Sequence, residues 1–222
     1  MRYDAVLFDN DGVLVHLTDH DVLRRAVERA FAEAGVDDPE PTHVEDLEFG
    51  VTVDRLRAIS AVYDLDPESF WRRRDEHATR LQQEVIRAGE KPLYEDFEEV
   101  LDLPLPRGIV SSNQHPTVAS VLEHNGIGEH FETYYGREMS LDGLRRKKPA
   151  TYYLDRARRD VGADEPLYVG DSESDIEAAA NAGMDAVFVR RPHRRDAELS
   201  IEPTAEIESL RELPALVEAT TH

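Results

Sequence analysis

The chain has 222 residues, 47 of them acidic and 26 basic, with a net charge of −21 and no cysteine. That charge disfavours nucleic-acid backbones and anionic membranes as partners, and the missing thiols exclude disulfides and thiolate metal sites. No apolar run approaches the ~18 residues a membrane span needs, and the first predicted strand lies so close to residue 1 that a signal peptide is not expected, which suits a cytoplasmic protein of one large or two small domains.

Val6-Leu7-Phe8 closes a predicted strand over 3–8 and runs straight into Asp9-Asn10-Asp11-Gly12. Two carboxylates one residue apart at the lip of a sheet repel unless a cation sits between them or one is protonated. Asp-Gly is also an ordinary turn dipeptide, so the later segments decide what this one means.

Residues 15–89 read as helical. Thr18 and Asp19 can cap a helix carrying Val22, Ala26, Val27, Ala30 and Phe31, closed by Gly35; Thr42 and Glu45 have capping-box spacing. Val53, Leu56, Ile59 and Tyr63 form a stripe at helical spacing. Asp66-Pro67 opens a further helix that bears Phe70, His77, Leu81 and Val85 and ends near Gly89. His20, Arg72, Arg73 and Arg74 are the candidates in this segment for substrate contact. Consecutive residues fan around a helix, so at most one or two of the arginines can share a direction.

The strand pattern then resumes. A strand over 107–111 ends in Ser111-Ser112-Asn113, and a helix follows with Pro116 in its first turn and Asn125-Gly126 at its end. Small polar side chains between a strand and a helix N-terminus make an anion cradle. After a strand over 132–136 comes Arg145-Arg146-Lys147-Lys148-Pro149. The chain has only three lysines, Lys91, Lys147 and Lys148, so two in succession stand out, and a compact ammonium suits a phosphate oxygen. A strand over 166–170 ends in Gly170-Asp171, with Asp175 four residues on, on one side of a helix that Gly183 can terminate. A strand over 185–189, an edge strand at 204–207 and a helix over 210–217 complete the reading. Alternating strands and helices with polar motifs at strand ends predict an α/β fold, a Rossmann-like doubly wound parallel sheet that binds ligands at the strands' carboxyl ends.

Taken together, the segments at Asp9–Gly12, Ser111–Asn113, Lys147–Pro149 and Gly170–Asp175 resemble, in order, the four motifs of the haloacid dehalogenase-like superfamily, specifically its phosphatases of the phosphoglycolate phosphatase-like branch. The resemblance implies a catalytic core of residues 1–14 and 90–222, with residues 15–89 as an inserted helical cap hinged near 14–17 and 89–92. It implies that Asp9 is the nucleophile and Asp11 the general acid/base. Ser111, or Ser112 as a substitute, binds the transferring phosphoryl group with Lys148, the lysine directly before proline. Asp9, Asp11 through its backbone carbonyl, Asp171 and its partner Asp175 would surround Mg2+, whose octahedral oxygen preference they match. The implied reaction is hydrolysis of a small phosphorylated metabolite through an aspartyl-phosphate. The rivals on the same fold are a phosphoglucomutase-type phosphotransferase and a dehalogenase proper, which has no need of the second aspartate. Threonine is common after the first-motif glycine where this chain has Val13, and His16-Leu17 stand where Asp-Ser is often found. The surplus of acid and the 23 arginines beside three lysines resemble proteins of extreme halophiles, in which molar salt shortens the Debye length to ~3 Å.

Overall fold

The structure is a computed structural model and describes residues 2–218; Met1 and residues 219–222, which the core assignment includes, lie outside them. Six strands form one parallel sheet in the order β3-β2-β1-β4-β5-β6. They are β1 (Ala5–Phe8), β2 (Arg107–Gln114), β3 (Thr133–Arg137), β4 (Pro166–Gly170), β5 (Asp185–Val189) and β6 (Ala205–Ile207). Alternation along the strands builds two cores, as period-two geometry requires. Val6, Phe8, Ile109, Val169, Val187 and Val189 pack on one face. Leu7, Val110, Tyr168 and Phe188 pack on the other.

The helical segment between β1 and β2 holds α1 (His20–Glu33), α2 (Pro41–Glu48), α3 (Val53–Val62) and α4 (Pro67–Arg87). Asp19, Thr52 and Asp66 accept backbone N–H bonds at the starts of α1, α3 and α4. The capping box expected at Thr42 and Glu45 does not form: Pro41 opens α2 one residue earlier, after a Glu40 that makes no side-chain cap. Thr18 is not a cap either, since its hydroxyl turns to Gln82 and Lys91. Phe31, Leu47, Leu56, Ile59, Phe70 and Trp71 give these helices a core of their own.

The two chain crossings into this segment run side by side. Val15 bridges Leu93, His16 N–H donates to Pro92 O at 3.0 Å, and Tyr94 N–H donates to Leu14 O at 3.0 Å. Beyond β1, the chain adds α5 (Glu98–Leu101), α6 (His115–Asn125), α7 (Leu141–Arg146), α8 (Tyr152–Val161), α9 (Glu173–Asn181) and α10 (Leu213–Glu218). Strand β2 runs three residues past the predicted end at 111, and a register irregularity lies between Val110 and Gln114. Among the described residues, no helix is long and apolar enough to cross a membrane.

Candidate active site

Strands β1, β2 and β4 are neighbours in the sheet, and their carboxyl ends bring three of the four motifs together. The fourth, Lys148, follows α7. Its ammonium lies 2.9 Å from Asp9 Oδ1 and 2.5 Å from Asp175 Oδ1, and donates to Tyr168 Oη at 2.8 Å and Val110 O at 3.1 Å. Close packing of backbone and carboxylates demands two glycines. A side chain at Gly12, which has φ +85°, would overlap the Asp171 carboxylate, and one at Gly170 would overlap Asp175.

Asp9, Asp171 and Asp175 can each bring a carboxylate oxygen within 4.8 Å of the others, and all three are buried. Burial pushes the Asp9 carboxyl well above the usual range; Lys148 opposes that push, while Asp175, Asp171 and Asp11 reinforce it. Lys148 itself is held charged, because Asp175 and Asp9 outweigh the cost of its burial. The donor set is hard oxygen, which fits Mg2+. Not every oxygen is free for a cation. Asp175 Oδ2 accepts from the N–H of Asp171, the N–H of Ser172 and the Ser172 hydroxyl, and Oδ1 faces Lys148. Asp9 Oδ1 takes Asn10 N–H and Lys148, whereas Oδ2 makes no hydrogen bond among the described residues. Asp171 Oδ2 lies 2.7 Å from His193 Nε2 and 3.4 Å from Arg194 Nε, and Oδ1 makes no hydrogen bond among the described residues. Asp9 and Asp171 therefore offer open oxygens, and Asp175 orders the lysine and the turn.

The Asp11 carboxylate lies outside this cluster. It pairs with the buried Lys91 ammonium and accepts from Asn10 Nδ2 at 3.0 Å, Asn113 Nδ2 at 3.3 Å and Ser111 Oγ at 3.4 Å. Burial would raise its pKa, but Lys91 and these donors outweigh burial and hold it below the usual carboxylate range. Ser111 therefore stands beside Asp11. Ser112 does not: its hydroxyl is buried without a partner, and its carbonyl accepts from Arg137 Nε at 3.0 Å. Successive strand residues face opposite sides, so one motif cannot present both serines to one ligand.

Of the candidates in the helical segment, Arg74 is buried rather than directed at a ligand. It donates to Leu47 O at 3.0 Å and Glu48 O at 2.6 Å, and its Nη1 lies 3.1 Å from Asp75. Arg73 lies 3.7 Å from Glu33, and His20 lies 3.8 Å from Glu48 with its ring against Phe49. Arg72 is exposed. Asp75 instead ties this segment to the sheet through a two-pronged ion pair with Arg137 (2.5 and 2.7 Å) and a bond from Gln114 Nε2 at 2.9 Å. Gln82 extends the link to Asn113 and Thr18.

Sequence reasoning missed Lys91, Asn113, His193 and Arg194 as neighbours of the motif acids. Lys91 carried a signal, being the third lysine of a lysine-poor chain; the Arg190–Arg195 segment, crowded with cations, carried only a compositional one.

The family model for haloacid dehalogenase-like hydrolases matches residues 6–189. A phosphoglycolate phosphatase of Rhodobacter capsulatus is 24% identical over 98% of both chains. That of Escherichia coli K12 is 31% identical over 50% of this chain and 44% of its own. The crystal structure of CbbY from Rhodobacter sphaeroides, in complex with phosphate, superposes with a TM-score of 0.69 over 95% of this chain and 96% of that one, at 21% identity.

Proposed function

The chain belongs to the haloacid dehalogenase-like hydrolase family, and from that premise we propose that it is a Mg2+-dependent phosphatase acting on a small phosphorylated metabolite, as the phosphoglycolate phosphatases it resembles are named to do. The observation that carries the reading is the asymmetry of Asp9: one oxygen is anchored by Asn10 N–H and Lys148, and the other makes no hydrogen bond among the described residues.

A carboxylate held in this way can attack phosphorus in line, forming an aspartyl-phosphate as the bond to the leaving oxygen breaks. Lys148 and the Ser111 hydroxyl neutralise and orient the non-bridging oxygens. Asp11, two residues on, gives a proton to the leaving oxygen and later takes one from the water that attacks the acyl-phosphate. While Lys91 is paired with it, Asp11 is held as the carboxylate, so that pair has to loosen before Asp11 can carry a proton. Mg2+, held by Asp9, Asp171 and the Asp11 carbonyl, would supply charge neutralisation for the transferring group. Residues 15–89 serve as the cap, and their buried bonds to β2 and β3 through Asp75 and Gln82 correspond to a closed arrangement that excludes water.

The test is release of phosphate from a panel of phosphorylated metabolites, with Mg2+ or with EDTA, beside Asp9→Asn. Activity that survives EDTA, or survives loss of the Asp9 carboxylate, would overturn the reading.

A further inference from the structure

Asp171 is held from a strand end that none of the four motifs occupies. Strand β5 runs beside β4, with Phe188 paired to Gly170, so the chain leaving β5 passes next to Asp171. There a short turn over Pro192–Arg194 brings His193 Nε2 to 2.7 Å and Arg194 Nε to 3.4 Å from Asp171 Oδ2. A carboxylate only accepts, so Nε2 carries the hydrogen. Oδ2 is also the oxygen that the first motif crowds: a Cβ on Gly12 would overlap Oδ2 more closely than Oδ1. Oδ1 makes no hydrogen bond among the described residues. Asp171 thus repeats the asymmetry of Asp9, with one oxygen anchored and one open, and His193 takes the part that Asn10 N–H and Lys148 play there.

The turn that carries His193 is itself fixed. Arg191, the residue before it, makes a two-pronged ion pair with Asp96 at 2.7 and 2.9 Å and donates to Val13 O at 2.8 Å. Its guanidinium lies 3.8 Å from the centre of the Tyr94 ring. Ser209 Oγ and Leu210 N–H also donate to Asp96, at 2.7 and 2.9 Å. Val13 follows Gly12, so one guanidinium holds both the backbone that crowds Asp171 and the turn that reaches it. On the other side of the turn, Arg190 Nη1 donates to Ala197 O at 2.9 Å. The side chain of Arg194 is 40% exposed, and a long contact from an exposed arm contributes little. His193, at 25%, is the closer and better enclosed partner.

Mg2+ demands near-octahedral oxygen ligands, and the partners of a ligating carboxylate set which way it faces. We infer, resting on the Mg2+-dependent reading above, that His193 is a positioning residue: it holds Asp171 by Oδ2, so that Oδ1 alone is presented to the cation. The same contact in the opposite role, a stand-in cation competing with the metal, predicts the opposite sign, since removing it would tighten Mg2+ binding. A ring placed by a turn that Arg191 pins acts as a fixed donor rather than as a mobile counter-ion.

The test measures metal affinity directly. Mn2+ bound to the full chain without substrate is followed by EPR and displaced with Mg2+, at one pH and fixed KCl, in wild type, His193→Phe and His193→Gln. Phenylalanine keeps the ring and removes the donor; glutamine restores an N–H near the place of Nε2. His193→Phe is expected to weaken Mg2+ binding about 10- to 100-fold, the range for losing a partner of a ligating group, and His193→Gln to regain part of it. Thermal melts of the metal-free proteins should stay close to wild type. Binding as tight as wild type or tighter in His193→Phe would overturn the inference and leave the phosphatase reading standing. Equal losses in both variants would overturn it as well, because the ring would then only fill space. A wild type that binds neither metal sinks the Mg2+ reading itself.

Discussion

Two adjacent lysines should respond to the same substitution with opposite signs. Lys148 is 2% exposed in its side chain and lies between Asp9 and Asp175. Lys148→Met leaves buried carboxylates with no cation, a loss of about 3–5 kcal/mol. Lys147 is different, because folding lowers its pKa from 10.5 to about 8. At about 1.4 kcal/mol per unit, that shift amounts to about 3 kcal/mol of cost for the charged form. Partial solvent access halves the figure to about 1.5 kcal/mol. Loss of the bond to Val51 O takes back about 0.5 kcal/mol, so Lys147→Met is expected to stabilise the fold by about 1 kcal/mol at pH 7. The sign carries a pH signature. Below pH 8 both states hold the proton and the full cost applies; between about 8 and 10.5 the unfolded chain binds more protons than the folded one, so wild-type stability rises with pH and the advantage of the variant fades. Urea titrations of both variants and the wild type at pH 7 and 9.5, at fixed salt, measure this. A Lys147→Met protein that is less stable than wild type at pH 7, or a difference that does not change with pH, would refute the reasoning.

Asp11→Asn should slow turnover by about 10²–10⁴-fold, the usual cost of lost general acid–base catalysis, and a phosphate-release assay reads it directly. Beryllofluoride should inhibit by occupying Asp9 as the proposed acyl-phosphate would, and Asp9→Asn should abolish that inhibition in a binding titration. Gly170→Ala should prevent normal folding or displace Asp175, because the added methyl overlaps that side chain; circular dichroism melts compared with the wild type check it. The acidic surplus predicts a melting temperature that rises between 0.1 and 2 M KCl as repulsion is screened, and a flat or falling curve would count against salt adaptation.

What the sequence determined by itself is what depends on local pattern. Short apolar runs located five of the strands and the edge segment at 204–207 the sixth, with β4 and β5 matching to the residue. Asp66-Pro67 and Gly89 bounded α4 for the same reason, since caps and positive-φ glycines act within a few residues. The motif acids and Lys148 were legible because motif spacing survives folding as proximity at adjacent strand ends. Only the tertiary structure decided which oxygens are open. That Asp175 is spent on a turn and a lysine, that Asp11 turns from the acid cluster to Lys91, and that Ser112 faces away from Ser111 depend on partners up to 80 residues distant and on strand orientation. The same holds for Arg74, which a helical wheel assigns to a face but only its bonds to Leu47 O and Glu48 O and its place beside Asp75 bury. Long-range pairing of buried charge is set by which segments meet, and that follows from the order of strands in the sheet rather than from any stretch of residues read alone.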